Sequence, residues 1–292
     1  MTAPLVVALG GNALAVRSGP AGSDSAGSGD QLRSLDVAVE AVAPLAHGRD
    51  LVITHGNGPQ VGALARQAEA TGSGSPLDVL DAESEGLIGY ALVVALDNAM
   101  ADREVVALLT RTRVDPDDPA FQRPSKPIGR RDRAGRRRLV ASPEPVEIEE
   151  AASIERLVAA GVVVVCVGGG GIPVARDDSG SLRGVEAVVD KDLASGLLAT
   201  RLGAEALLLL TDVDGAYEHW GSEAARRIEM TTPDRLRAGD FQPGSMAPKV
   251  EAAARFVEQG GRRAAIGALG DARALLAGSA GTQVRPDVGS SS

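Results

Sequence analysis

Short runs of Val, Leu and Ala, each closed by a glycine turn and followed by a segment with helical spacing, recur along the whole chain. An unbroken apolar run suits a strand buried on both faces, and the helical segments supply the covers. The pattern therefore predicts an α/β fold with a mostly parallel sheet covered by helices. Leu5 to Leu9, Leu51 to Thr54, Val105 to Leu109, Val162 to Val167, Ala206 to Thr211 and Arg263 to Gly267 read as strands. Helical spacing marks Gln31 to Ala46, Gln60 to Glu69, Glu85 to Asn98, Ile148 to Ala159, Leu193 to Leu202 and Lys249 to Gln259, the last stopped by Gly260 and Gly261. The 292 residues allow one large domain or two smaller ones. Aromatics are only 2%, so the core must be made from Ala, Val, Leu and Ile.

Three kinds of segment fall outside the alternation. Ser18 to Asp30 and Thr71 to Pro76 read as flexible loops, and Asp287 to Ser292 as a disordered tail. Arg111 to Pro145, rich in Pro, Asp and Arg, reads as an excursion from the sheet. Within it, Arg130, Arg131, Arg133, Arg136, Arg137 and Arg138 suggest either a phosphate-binding run or a solvated hairpin or loop, the ordinary reading of such a run. The uncharged stretch Val158 to Ala175 has the length of a membrane span, but four consecutive glycines and Pro173 leave only a strand-length apolar centre. Cys166, the single cysteine, reads as a buried structural thiol. The beginning of the chain lacks a basic segment and a long apolar one, which predicts a cytoplasmic protein. A net charge of −9 gives no attraction for nucleic acid or anionic membrane, so neither is expected as a partner.

The glycine turns suggest chemistry. Gly10-Gly11-Asn12 follows the first expected strand, His55-Gly56-Asn57-Gly58 the second, and Gly168 to Gly171 the fourth. Such turns expose backbone N–H groups at the end of a parallel sheet, where they suit phosphate. The sequence contains no Gly-Lys pair, so the G-x-x-x-x-G-K loop is absent, and Gly168 to Gly171 does not fit G-x-G-x-x-G. His55 reads as a residue that orients its loop rather than as an acid or base.

Of the 30 basic residues only Lys126, Lys191 and Lys249 are lysine. Arginine supplies the ordinary positive charge, and all three lysines sit in turns or at helix starts rather than on solvated helix faces. Phosphoryl transfer explains the choice, because compact cations can follow charge over a migrating phosphoryl group. An acceptor that is already an anion needs no general base.

In order along the chain, VVALGGNAL (6–14), VITHGNGPQVG (52–62), KPIG (126–129), CVGGGGIPV (166–174), GVEAVVDKDLA (184–194), LLTDVDGAY (209–217) and FQPGSMAPKVEAA (241–253) resemble the carbamate kinases of the amino-acid kinase superfamily. The resemblance implies a three-layer αβα sandwich over residues 1–286, working as a homodimer. In it, lobe 1–204 holds carbamate or carbamoyl phosphate, 111–145 forms a protruding subdomain, and lobe 205–286 holds ATP or ADP. It implies that Gly10, Gly11, Asn12, His55, Gly56, Asn57, Gly58, Gly169 and Gly170 cradle the acceptor and the phosphoryl group. Lys191 and Lys249 would be the cations on that group, Asp192 the carboxylate holding both, and Lys126 a further catalytic contribution. Thr211, Asp212, Val213, Tyr217, Ser245 and Met246 would form the nucleotide pocket. Mg²⁺ would be carried by the nucleotide phosphates, with no metal cage of the protein's own.

Two features depart from the family pattern. The protruding segment Arg130 to Ala141 is short, with Arg130-Arg131 in place of the usual Pro-Phe-Tyr. Glu83 and Glu85 stand where Gln is common, just ahead of Gly86 to Tyr90. A trimmed lid would admit a bulkier acceptor or shield a carbamate less from water. The implied activity is ATP formation from carbamoyl phosphate in arginine or purine breakdown. A kinase of another small carboxylate or carbamate-like acid, and a nucleotide-binding regulator without turnover, remain as alternatives.

Overall fold

The computed structural model describes residues 3–11, 14, 28–129 and 135–287. The chain opens with β1 (Leu5–Leu9), α1 (Ser28–Val42), β2 (Leu51–His55), α2 (Gly58–Thr71), α3 (Leu77–Ala99) and β3 (Val105–Ala107). Short strands follow: β4 (Arg111–Val114), β5 (Lys126–Ile128), β6 (Arg138–Val140) and β7 (Pro145–Ile148). Next come α4 (Ala151–Ala159), β8 (Val163–Cys166), β9 (Ile172–Arg176), β10 (Leu182–Gly184), α5 (Lys191–Arg201) and β11 (Ala206–Thr211). The last stretch holds β12 (Tyr217–Glu218), β13 (Arg226–Arg227), β14 (Met230–Thr231), α6 (Pro233–Arg237) and α7 (Met246–Glu258). It closes with β15 (Ala264–Ala268), α8 (Ala272–Ala277) and β16 (Thr282–Val284).

Eight strands form one sheet in the order β14-β16-β15-β11-β1-β2-β8-β3, parallel at every pairing except β15 with β16. Side chains alternate across a strand, so each apolar run feeds two cores at once. Val6, Ala8, Val164, Cys166, Leu207 and Leu209 pack on one face with Ile154, Leu198, Val250 and Phe256 from α4, α5 and α7. Leu5, Val7, Leu9, Val163, Val165, Leu208 and Leu210 pack on the other with Leu35, Val39, Leu92, Leu96 and Leu275 from α1, α3 and α8. The result is a mostly parallel sheet between two helical layers, as the alternation requires. Phe256 is the one aromatic in the buried core among the described residues.

The structure corrects several boundaries. Pro44 ends the first α-helix early, and Ala43–Ala46 form a tighter turn. The third helix begins at Leu77, eight residues before the expected start at Glu85, because Pro76 sets its first turn and Glu85 lies inside it. Ser28 to Asp30, expected in a loop, open α1; the rest of that loop from Ser18 to Gly27 lies outside the described residues. The expected tail is described only to Asp287. Ile148 ends a strand, and the following helix starts at Ala151.

Arg111 to Pro145 leaves the main sheet, as expected, and carries strands of its own that the sequence reading did not mark. β4 pairs with β9 and β7 in a second sheet ordered β10-β9-β4-β7. Arg111 and Arg113 alternate with buried Thr112 and Val114 and engage Glu150 and Glu149, so this period-two pattern is written in salt bridges rather than apolar residues. β5 and β6 form a hairpin seated on α2 and α3 by Ile128, Val140, Val61, Ala65, Leu77 and Leu80. Arg130, Arg131 and Arg133 lie outside the described residues, so the structure describes only the root of the expected lid. Val158 to Ala175 is divided among a helix end, β8, the glycine turn and β9, and no described helix is long and apolar enough to cross a membrane.

Phe256→Ala should remove about 3–5 kcal/mol of stability, measured by urea unfolding, because aliphatic neighbours on a rigid sheet cannot collapse into the space. A loss under 1 kcal/mol would contradict this packing.

Candidate active site at the carboxyl ends of the strands

The turns after β1, β2, β8 and β11 lie on one side of the sheet because these strands run parallel. Gly11 and Gly56 meet backbone to backbone. A Cβ on Gly56 would fall 2.8 Å from the Gly11 nitrogen and 3.3 Å from the Lys191 side chain. Gly10 lies under the Leu210 carbonyl, beside Thr211. Gly169, in a left-handed conformation with φ of 70°, lies flat against the Asn57 amide, and Gly170 against Val189. Gly58 opens α2, and its carbonyl accepts the Gly129 N–H at 3.4 Å. The expected glycines thus interlock into one surface, which Lys191 borders. Asn12, expected in the same cradle, lies outside the described residues.

The three lysines converge on two carboxylates. Lys191 Nζ donates to Asp192 Oδ1 at 2.7 Å, and Lys249 Nζ donates to Asp192 Oδ2 at 3.0 Å. Lys126 Nζ, brought in by the hairpin, donates to Asp190 Oδ2 at 2.9 Å. The other Asp190 oxygen caps α5, accepting the N–H groups of Asp192 and Leu193. Three ammonium groups against two carboxylates leave a net positive charge.

Burial disfavours every charge here, and pairing decides the outcome. The Asp192 carboxyl, despite burial, is held well below the usual carboxylate range by Lys191 and Lys249. Burial and the neighbouring Lys249 pull the Lys191 pKa down against Asp192. For Lys249, Asp192 outweighs burial and the pKa rises.

A cavity of about 90 Å³ opens beside this cluster. Thr211, Asp212, Val213, Tyr217, Ser245 and Met246, all expected there, line it. Ser245 joins the cavity to the lysines, since its carbonyl accepts from Lys249 Nζ at 3.4 Å. Trp220 and Phe241 also line it, with the Trp220 ring edge-on to Tyr217 at 5.1 Å. Trp220 was not among the expected site residues, although its being the chain's single tryptophan was a visible signal. Among the described residues no three His, Cys, Asp or Glu side chains gather in a way that would hold a metal ion.

Behind the glycine surface lies a polar layer that the sequence did not reveal. Asn57 Nδ2 donates to Asp81 Oδ1 at 2.8 Å and Ser84 Oγ at 2.7 Å, both on α3. Glu85 accepts from the Thr110 hydroxyl and the Gly168 N–H. Burial pushes the Asp81 carboxyl up, and pushes Glu85 up to about 7. His55 is fully buried, its ring against Gly168, with Nδ1 3.3 Å from the Gly56 carbonyl. Burial lowers its pKa to about 4, so the imidazole is neutral at physiological pH. Cys166 is buried, its thiol pushed up.

The sequence profile of the amino acid kinase family matches residues 3–268. Carbamate kinase of Escherichia coli strain K12 is 45% identical over 299 aligned positions, covering 95% of this chain and 98% of that protein. Carbamate kinase of Pyrococcus horikoshii is 40% identical over 316 positions, covering 97% and 99%. That alignment is longer than the 292 residues here, so the relative carries residues without a counterpart in this chain. The structure of carbamate kinase from Giardia lamblia bound to AMP-PNP superposes with a TM-score of 0.89 at 36% identity, over 98% of this chain and 99% of that one. The chain belongs to the amino acid kinase family, a family of ATP-dependent phosphotransferases with this layered fold. Within that family its place is with the carbamate kinases.

The neutral burial of His55 has a signed consequence. A histidine lowered from 6.5 to about 4 contributes stability that is present above pH 6.5 and lost as pH falls toward 4. On going from pH 7 to pH 4, His55→Gln should lose about 3 kcal/mol less stability than the wild type, measured by urea unfolding. Equal losses in both proteins would refute the assignment.

Proposed function

We propose that the chain catalyses reversible phosphoryl transfer between ADP and carbamoyl phosphate, giving ATP and carbamate. The observation that carries this reading is the cluster of three lysines on Asp190 and Asp192, set between the interlocked glycine turns and the cavity that begins at Thr211. In the ATP-forming direction an oxygen of the ADP β-phosphate attacks phosphorus and carbamate leaves as an anion. Neither group has to exchange a proton, so no histidine is needed as acid or base; His55 orients its loop.

Catalysis then rests on position and charge. The N–H groups around Gly10, Gly11, Gly56, Asn57, Gly58, Gly169 and Gly170 hold carbamoyl phosphate. Lys191 and Lys249 neutralise the phosphoryl oxygens in transit, and Asp192 keeps both ammonium groups aimed. Lys126, fixed by Asp190, adds a third cation from the hairpin. The nucleotide occupies the cavity of Thr211, Asp212, Val213, Tyr217, Ser245 and Met246. Mg²⁺, carried by the nucleotide phosphates, would offset their charge.

The proposal includes a homodimer in the cytoplasm. Leu87, Tyr90 and Val94 form an exposed apolar stripe along α3, with exposed Leu109 nearby, and a second copy of this surface would bury it.

Purified protein given ADP and carbamoyl phosphate should form ATP, read by a luciferase assay. Lys191→Met and Lys249→Met should each lower kcat by about 10²–10³-fold or more while the protein still folds. Near-normal turnover in either variant would sink the mechanism. Tyr90→Glu should shift the sedimentation coefficient toward that of a monomer; an unchanged coefficient would remove α3 from the interface.

A further inference from the structure

Glu85 has no part in the mechanism above, yet it is buried at 2% exposure and grips the backbone of the phosphate-binding surface. Its Oε1 accepts the Gly168 N–H at 2.8 Å and the Thr110 hydroxyl at 2.6 Å, and its Oε2 accepts the Thr110 N–H at 3.2 Å. The Thr110 hydroxyl in turn accepts the Val167 N–H at 2.6 Å, and the Thr112 hydroxyl donates to the Gly170 carbonyl at 2.6 Å. These bonds hold a turn that the chain would not otherwise adopt. Val167, a β-branched residue, has a φ of 53°, and Gly169 and Gly170 are also left-handed. The turn rests on Asn57, itself pinned by Asp81, one turn before Glu85 on α3, and by the adjacent Ser84. One helix face therefore fixes two of the loops assigned to carbamoyl phosphate.

We propose that Glu85 is a positioning residue for the phosphate-binding turn Val167–Gly170, and that its ionisation sets the grip of that turn on carbamoyl phosphate. The inference rests on the reading of this surface given under Proposed function. Three hydrogens point at the carboxyl group, two on Oε1 and one on Oε2. The Thr110 hydroxyl, whose oxygen accepts from Val167, gives its hydrogen to the carboxylate. The carboxylate is acceptor-only and takes all three; a proton on Oε1 would compete with its two donors, and a proton on Oε2 would make that oxygen a weaker acceptor.

Burial, opposed by the Thr110 and Gly168 hydrogen bonds and reinforced by Glu150, raises Glu85 to about 7. Other titratable groups face it from the neighbouring elements. His55 on β2 is neutral, the Cys166 thiol ending β8 is pushed up, and Asp81 on α3 is raised by burial. Glu85 is the carboxyl among them that bonds the turn directly. Above about pH 7 the clamp is a carboxylate; below it the added proton weakens its hold on the turn.

The test measures ADP and carbamoyl phosphate kinetics from pH 6 to pH 8.5 in the wild type, Glu85→Gln and Glu85→Ala. Hydrogen exchange of the peptide spanning residues 163–171 is followed at one fixed pH. In the wild type, KM for carbamoyl phosphate should rise several-fold toward pH 6 while KM for ADP stays flat. Glu85→Gln keeps an acceptor for Gly168 and cannot ionise, so its KM should be independent of pH. Glu85→Ala should raise KM for carbamoyl phosphate by about tenfold or more at every pH, with KM for ADP within about twofold, and exchange should quicken at Val167 and Gly168.

A Glu85→Gln profile that tracks the wild type would overturn the proposal. So would a Glu85→Ala protein with unchanged KM and unchanged exchange. If Glu85→Ala does not fold, the Glu85→Gln profile decides. A wild type that forms no ATP would overturn the substrate reading alone, and the exchange comparison would still decide the clamp.

Discussion

A single buried carboxylate, Asp192, stands between two ammonium groups, and the architecture around the site depends on that contact. At 4% exposure the aspartate could not remain charged alone, nor could Lys191 and Lys249 lie so close without an anion between them. The arrangement needs two helices in register. Lys191 and Asp192 open α5, whose start is capped by Asp190, while Lys249 lies in the first turn of α7. Both helices pack on the same face of the sheet through Leu198, Val250 and Phe256. The hydrophobic core therefore sets the separation of the charges, and Asp190 adds the hairpin lysine to the group.

The neutral part of the site follows a different rule. Its loops touch through backbone rather than side chains, with Gly56 against Gly11 and Gly169 against the Asn57 amide. A methyl group at either contact would overlap its neighbour, so glycine here reflects close approach as much as torsional freedom. The turns form one surface whose shape is transmitted from α3 through Asn57, Ser84, Glu85 and Thr110.

Much of this was legible in the sequence because the signals were local. Apolar runs announced β1, β2, β8, β11 and β15, and the lysines were conspicuous in a chain that otherwise uses arginine. What stayed hidden was information carried by pairing at a distance. Arg111 and Arg113 form a strand because their partners are Glu150 and Glu149, far along the chain, and no apolar alternation marks it. Asp81 and Glu85 resemble surface acids of a helix until the structure sets them against Asn57, Thr110 and Gly168. The helix that bears them was itself expected to begin only at Glu85.

The lysine usage also has a consequence for covalent chemistry. Every side-chain amine of the protein is at the candidate active centre, each in an ion pair, with Lys191 and Lys249 only 11% exposed. An acylating reagent or a lysine-directed protease consequently meets no primary amine on the remaining surface side chains. Side-chain acylation of the folded protein would read out the opening of this one cluster, without any label having to be introduced.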